Sequence, residues 1–143
     1  MDLLTVARVP PVLASPTMTI AEGLKRMVMH NCGALVVTDN QRQIVGILSE
    51  RDVVRRVAFR NLDVECTPIS RVMTLNVETA TPETTIEDAL AHMVRGHFRH
   101  LPIVDTLGRV IGIVSVRYLL MRQLGENRLM RRIMESELEL AEI

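Results

Sequence analysis

Gly46-Ile47-Leu48-Ser49-Glu50-Arg51-Asp52 decides the reading of this chain, because it comes back. Sixty-six residues later the sequence is Gly112-Ile113-Val114-Ser115-Val116-Arg117-Tyr118. At the same offset, without a gap, Pro16 aligns with Pro82, Thr19-Ile20 with Thr85-Ile86, Leu24 with Leu90, Met27-Val28 with Met93-Val94, Leu35 with Leu101 and Asp39 with Asp105. From Ala14 to Arg56 the copies agree at 14 of 43 positions. An internal duplication of this kind constrains the fold more than any local pattern does.

Outward from that stretch, each copy spells strand, helix, strand, strand, helix. Val12 to Ala14 is a short extended piece, and Thr17 or Thr19 caps a helix whose apolar positions Ile20, Leu24, Met27 and Val28 recur at helical spacing. Asn31-Cys32-Gly33 ends it. Ala34 to Val37 and Ile44 to Leu48 are strands around an Asp39-Asn40-Gln41-Arg42 turn, in which the aspartate and asparagine side chains bond local backbone. After Ser49 the period becomes helical again, and Val53, Val54, Val57 and Ala58 are expected on one side.

The second copy repeats the order. Val77 to Thr79 is extended, Thr84 with Glu87 fits a capping box for a helix over residues 85 to 96, and strands at 101 to 104 and 110 to 114 flank an Asp105-Thr106-Leu107-Gly108 turn. Ser115 opens a helix carrying Leu119, Leu120 and Leu124. Pro10-Pro11 argues against regular helix in the lead-in. The expected organisation is a first repeat over residues 1–59 with its lead-in, a linker over 60–71, a second repeat over 72–124, and a helical extension over 125–143. Leu129, Ile133, Met134 and Leu138 give that extension an apolar side. It is expected to dock on its own fold or on a partner subunit, since its acidic end disfavours anionic lipid.

Composition narrows the function. The 143 residues fit one compact domain or two small ones sharing a core, with 48% apolar and 24% charged residues. The core is aliphatic, with no Trp, one Tyr, two Phe and nine Met. Met27, Met29, Met93, Met121, Met130 and Met134 read as adaptable packing. Net charge is zero and no basic run suits a nucleic-acid backbone, so nucleic-acid binding is not expected. No apolar run is long enough to span a membrane, and Met1-Asp2-Leu3-Leu4 lacks the basic start of a signal peptide. Cys32 and Cys66 occupy unmatched positions and read as reduced thiols, which points to a cytoplasmic protein. The spacing of His30, Cys32, His92, His97 and His100 promises no converging metal ligands, and no metal is expected.

Chemistry gathers where the quoted stretch turns from strand to helix. Ser49 is the expected N-cap, and free N–H groups there attract an anion or a hydroxyl-rich ligand. Asp52 falls in the first turn. Its carboxylate either favours the positive end of the helix or accepts hydrogen bonds from vicinal hydroxyls such as those of a ribose. No positioned base, nucleophile or open metal site is apparent, so an enzyme is not expected.

The duplicated glycine, hydrophobic pair, serine, two variable residues and aspartate resemble the signature of the CBS (cystathionine beta-synthase type) domain. Thr81-Pro82 with Thr85-Ile86, and His100-Leu101-Pro102-Ile103-Val104-Asp105, are similar to further elements of that family. Two repeats in tandem resemble a Bateman module, as in stand-alone bacterial and archaeal CBS-domain proteins. The resemblance implies an α/β fold of two β-α-β-β-α repeats with pseudo-two-fold symmetry, plus the C-terminal helix. It also implies a regulatory, non-catalytic module that binds AMP, ADP, ATP, NAD or S-adenosylmethionine between the repeats, forms a homodimer through its helices, and acts on a separate effector protein.

By that resemblance Ser49 and Asp52 hold the ribose of one cleft, while Arg99, His100 and Arg117 of the opposite repeat face its phosphates. Arginine forks suit phosphate oxygens at any ordinary pH, whereas His100 contributes conditionally. The second cleft departs from the family. Tyr118 stands where the aspartate belongs, Gly33 and Ala34 supply no charge, and Arg51 and Ser115 remain. One functional cleft per chain is therefore expected. The alternative is a structural, dimerisation or interaction module whose clefts stay empty.

Overall fold

The computed structural model describes residues 2–124, together with 132, 133, 135–137 and 139. Three strands, β1 (Leu13–Ala14), β2 (Ala34–Thr38) and β3 (Ile44–Ser49), form one sheet, and β4 (His100–Val104) and β5 (Val110–Ser115) form another. Between them run α1 (Ile20–His30), the short α2 (Glu50–Asp52) continuing as a π-helix (Val53–Ala58), α3 (Ile86–Gly96) and α4 (Val116–Leu124). The unit order expected from the duplication is present in both halves, with one strand reduced to a bridge.

That exception has a local cause. In the first half β1 runs parallel to β2, and the Val36 N–H donates to the Val12 carbonyl at 3.1 Å. Sixty-six residues on, the donor position is Pro102, which has no N–H. Only Ala80 then pairs with β4, through Ala80 N–H to Pro102 O at 2.8 Å and Val104 N–H to Ala80 O at 2.9 Å. The extended residues 77–79 add no ladder of their own.

Capping follows the duplication. Thr19 accepts from the Glu22 N–H at 3.2 Å and Glu22 returns the bond to the Thr19 N–H at 3.3 Å, so Thr19 caps α1. In the second half the cap is Thr85, which accepts from the Asp88 N–H at 3.1 Å. The expected Thr84–Glu87 capping box is not the one formed: Thr84 Oγ1 instead accepts from the Thr81 N–H at 3.1 Å and belongs to the turn before the helix. α1 and α3 both end on a left-handed residue, Asn31 and His97. Asp39 and Asp105 both close their hairpin turns, each accepting from backbone N–H groups two and four residues on at 2.9–3.0 Å.

The helix after Ser49 departs from the α period. The Phe59 N–H bonds Val54 O at 3.2 Å and the Leu62 N–H bonds Val57 O at 3.1 Å, both five residues apart. The wider turn aligns Asp52 with Val57, both buried, and leaves Val54 65% exposed and Ala58 exposed. The expected four-residue apolar side is therefore split.

The core has three parts. One lies under β2, β3 and α1, with Ile20, Met27, Leu35, Leu48 and Val57. A second lies under β4, β5 and α3, with Ala89, Met93, Leu101, Ile103, Val114 and Leu119. The third, Ala34, Val36, Ile47, Val110 and Ile113, joins the two sheets. Each half is completed from outside its own strands. Leu3 and Val6, on a 3-10 turn (Leu3–Val6), are buried in the second half, where the Leu3 N–H donates to Pro82 O at 2.9 Å and the Arg8 N–H to Ile113 O at 2.9 Å. The lead-in, grouped with the first repeat by position in the sequence, thus packs on the second. Ile69 of the linker and Val72 just after it are buried in the first half, and Thr74 bridges Ile47. These segments obey the same offset of 66: Leu3 matches Ile69, Val6 matches Val72 and Arg8 matches Thr74.

Residues 132, 133, 135–137 and 139 are helical, as expected of the C-terminal extension. Leu129, Met130, Met134 and Leu138 lie outside the described residues. So does the docking of that helix. Among the described residues no helix is long and apolar enough to cross a membrane.

Candidate functional site

β3 delivers Ser49 to the start of α2, where Ser49 and Asp52 cap each other. The Ser49 N–H and Oγ donate to Asp52 Oδ2 at 2.9 and 3.1 Å, and the Asp52 N–H donates back to Ser49 Oγ at 3.4 Å. Asp52 is only 5% exposed. A carboxylate so removed from water needs partners on both oxygens. Oδ1 has them: Thr74 Oγ1 donates at 2.9 Å from the start of the second repeat, and the Arg56 Nε lies 3.8 Å away, one turn on. Arg56 also donates through Nη1 to the carbonyls of Val72 and Met73, both at 3.2 Å. Thr74 and Arg56 were not among the residues expected here. Thr74 sits beyond the clearly repeated span, and its approach depends on its own bridge to Ile47 of β3.

The second half reaches this end of the first through His100. A Cβ on Gly33 would stand 2.7 Å from Glu50 Oε1 and 3.3 Å from His100 Nε2, so both side chains close over the bare glycine. Burial pushes the His100 imidazole below its ordinary value of 6.5, and the charge of neighbouring Arg99 lowers it further. His100 is therefore held neutral at the seam between the halves. Its sign follows from linkage: the unfolded chain takes up a proton near pH 6.5 and the folded one only at lower pH, so stability falls as pH drops through and below that value. His100→Gln is expected to shrink the difference in urea midpoint between about pH 7.5 and about pH 5.5 relative to the parent. An equal difference in both proteins would remove His100 from the acid response.

Arg99 and Arg117, the other two expected phosphate contacts, are exposed. The carbonyl of Arg99 accepts from the Val116 N–H at 2.9 Å, just as Gly33 O accepts from the Glu50 N–H at 3.0 Å in the other half. Arg51 does not stay within its own half: its Nη1 donates to the His97 carbonyl at the end of α3, at 2.5 Å. Ser115 accepts from the Tyr118 N–H at 3.2 Å, and Tyr118 is 65% exposed. The tyrosine at the aspartate position therefore projects outward and fills no buried site. Among the described residues no cluster of three or more His, Cys, Asp or Glu could hold a metal ion, and Cys32 and Cys66 are unpaired.

Two copies of one strand-to-helix turn, each with the other half's segment crossing it, is the arrangement that a tandem family model would match. The CBS domain model matches residues 4–58 and again residues 69–125. This chain belongs to the CBS-domain family.

Relatives of the CBS pair are widely spread. It is 44% identical over 105 residues to a 17.7 kDa protein of Acidianus ambivalens, covering 73% of this chain and 62% of that one. It is 43% identical over 100 residues to the CBS domain-containing protein CBSCBSPB1 of Arabidopsis thaliana, covering 70% of this chain and 18% of that one. The chain thus spans under two thirds of these relatives' length. Among solved structures, the CBS domain pair of protein MJ0100 in complex with 5′-methylthioadenosine and S-adenosyl-L-methionine superposes with a TM-score of 0.79 at 26% identity, over 90% of this chain and 98% of that one. The fold of two CBS repeats is therefore that of solved CBS pairs.

Proposed function

We propose that this CBS pair is a regulatory, non-catalytic module that binds one adenosine-containing ligand per chain at the Asp52 end of the seam and passes its occupancy to a separate protein. The observation that carries this reading is the Asp52 carboxylate, shielded from water and already accepting a hydroxyl, that of Thr74, at 2.9 Å. A ribose hydroxyl is the same donor on the same acceptor, and it would take the place of Thr74 on Oδ1. His100 opens β4 and Arg99 precedes it, on the far side of the seam, where phosphate or the ligand's charged tail would lie. The likeness to a CBS pair that binds methylthioadenosine and S-adenosylmethionine supports the ligand class.

Val28 and Val94, equivalent positions on α1 and α3, are 80% and 69% exposed, which supports association of two copies through these helices. The unpaired cysteines suit a reducing, cytoplasmic setting.

Calorimetric titration with AMP, ATP, NAD and S-adenosylmethionine tests the reading, with Arg99→Met as the variant because its side chain is exposed. Saturable binding near one ligand per chain is expected, and for the phosphate-bearing ligands Arg99→Met should weaken it about tenfold. If no adenosine compound binds at millimolar concentration, the second reading takes over: a dimerisation module whose Asp52 is satisfied from within, as its Ser49 and Thr74 contacts allow.

A further inference from the structure

In the helix after Ser49, Val54 and Phe59 are left 65% and 87% exposed. An α-helical period would carry residues five apart to different faces. Here the Phe59 N–H bonds Val54 O at 3.2 Å, so the π-turn sets the two residues one above the other in a single row. Arg55 and Arg60, also exposed and five apart, form a second row beside it. Among the described residues no carboxylate pairs with either arginine. Residues 53–60 contain no acidic residue, and the turn presents an apolar ridge with a cationic edge.

The C-terminal helix carries the converse surface. Ile133 is 47% exposed, and Glu135 and Glu139, four apart, are exposed as well. By sequence, Leu129 lies four residues before Ile133, and Met134 and Leu138 are four apart, so apolar positions run beside the acidic ones. Residues 133–143 hold four glutamates and neither lysine nor arginine. The net charge of the whole chain is zero, yet the charge is sorted between these two surfaces. Ridge and helix are opposite in sign, both apolar, and both exposed within one chain. A second copy supplies each with its complement.

We propose that the C-terminal helix of one copy lies across the Val54–Phe59 ridge of a second copy, with Glu135 and Glu139 on Arg55 and Arg60. A two-fold axis makes the exchange reciprocal, so each copy gives a helix and receives one, and the assembly closes at two. The doubled contact gains the area that a single helix face lacks. Apolar burial gives the affinity, and the charges set the lie of the helix. This contact needs no ligand at Asp52 and is separate from association through α1 and α3.

The test is disulfide trapping in the full chain, in a Cys32→Ser, Cys66→Ser background. Mixing a Phe59→Cys chain with an Ile133→Cys chain under mild oxidation should give a linked pair of twice the chain mass. Leu107→Cys, exposed on a hairpin turn, replaces Phe59→Cys as the control and should link about tenfold more slowly. Arg55→Glu with Arg60→Glu should slow the linkage by a similar factor, and Glu135→Arg with Glu139→Arg in the other chain should restore it. Amide exchange reads the same contact without new cysteines: over residues 53–60 it should slow as the parent is concentrated, and not in Ile133→Glu. A chain carrying both Phe59→Cys and Ile133→Cys separates the two possible seats. Closure within one chain would place the helix on its own fold and overturn the proposal. So would a mixed pair that links no faster than the control, or an arginine reversal that the glutamate reversal does not rescue.

Discussion

Asp52→Ala is expected to lower folding stability by about 3 kcal/mol, whether or not a ligand ever binds. The carboxylate holds the Ser49 N–H and Oγ on one oxygen and the Thr74 hydroxyl on the other, with Arg56 close by. Removing it leaves those donors facing a hole with little access to water. The helix cap alone is worth about 1 kcal/mol, and a hydrogen bond to a charged group about 1.5–3 kcal/mol. Arg56 adds little to the sum because its side chain is 41% exposed and screened. Asp52→Asn, which keeps an acceptor of the same shape, should lose about half as much. Urea unfolding at neutral pH measures both. A loss under about 0.5 kcal/mol for the alanine variant would mean that Thr74 does not rest on Asp52 in solution. The same result would make Asp52→Ala a clean probe of ligand binding, which the geometry argues it is not.

Leu3→Ala should cost about 3 kcal/mol, as for a large side chain deleted from a packed core. The position is unpromising by sequence, three residues from the start and ahead of two prolines, yet Leu3 is 1% exposed among Ala89, Met93, Leu101 and Leu119. The loss should also have an address. Amide exchange should quicken in β4, β5 and α3 before it does in β2 and β3, because the cavity opens under the second half. Exchange that quickens first in the first half would contradict the crosswise packing. Leu75, which is 59% exposed, provides the comparison: Leu75→Ala should stay within about 0.5 kcal/mol.

What could be read from the sequence was whatever the duplication states twice. The strands at Ala34, Ile44, Leu101 and Val110, the helices at Ile20 and Ile86, and Ser49 as a helix cap follow from period and offset together; that Asp52 caps Ser49 in return does not, since its counterpart is Tyr118. Local pattern alone misleads in this chain. Thr84 with Glu87 matches a capping box, but Thr85 is the residue equivalent to Thr19, and the offset was the better guide. Val53, Val54, Val57 and Ala58 fit a 3.6-residue period, but the bonds there span five residues and rotate Val54 outward. Pro102 signalled a family-like strand and at the same time removed the donor that would have paired its neighbour. The hidden parts are tertiary: Thr74 on Asp52, Arg56 on the carbonyls of Val72 and Met73, and Arg8 on the His30 carbonyl join segments far apart in the chain, and no local period encodes such meetings.

The crossing of the lead-in carries a consequence for how the chain is made. Synthesis runs from the N-terminus, and domains tend to fold as they emerge. Leu3 and Val6 emerge about a hundred residues before Leu101, Val114 and Leu119, which help to bury them. The first half has only to wait for Ile69 and Val72 to close its own core. Two apolar side chains of the lead-in thus stay uncovered until the strands and helix of the second half have been made.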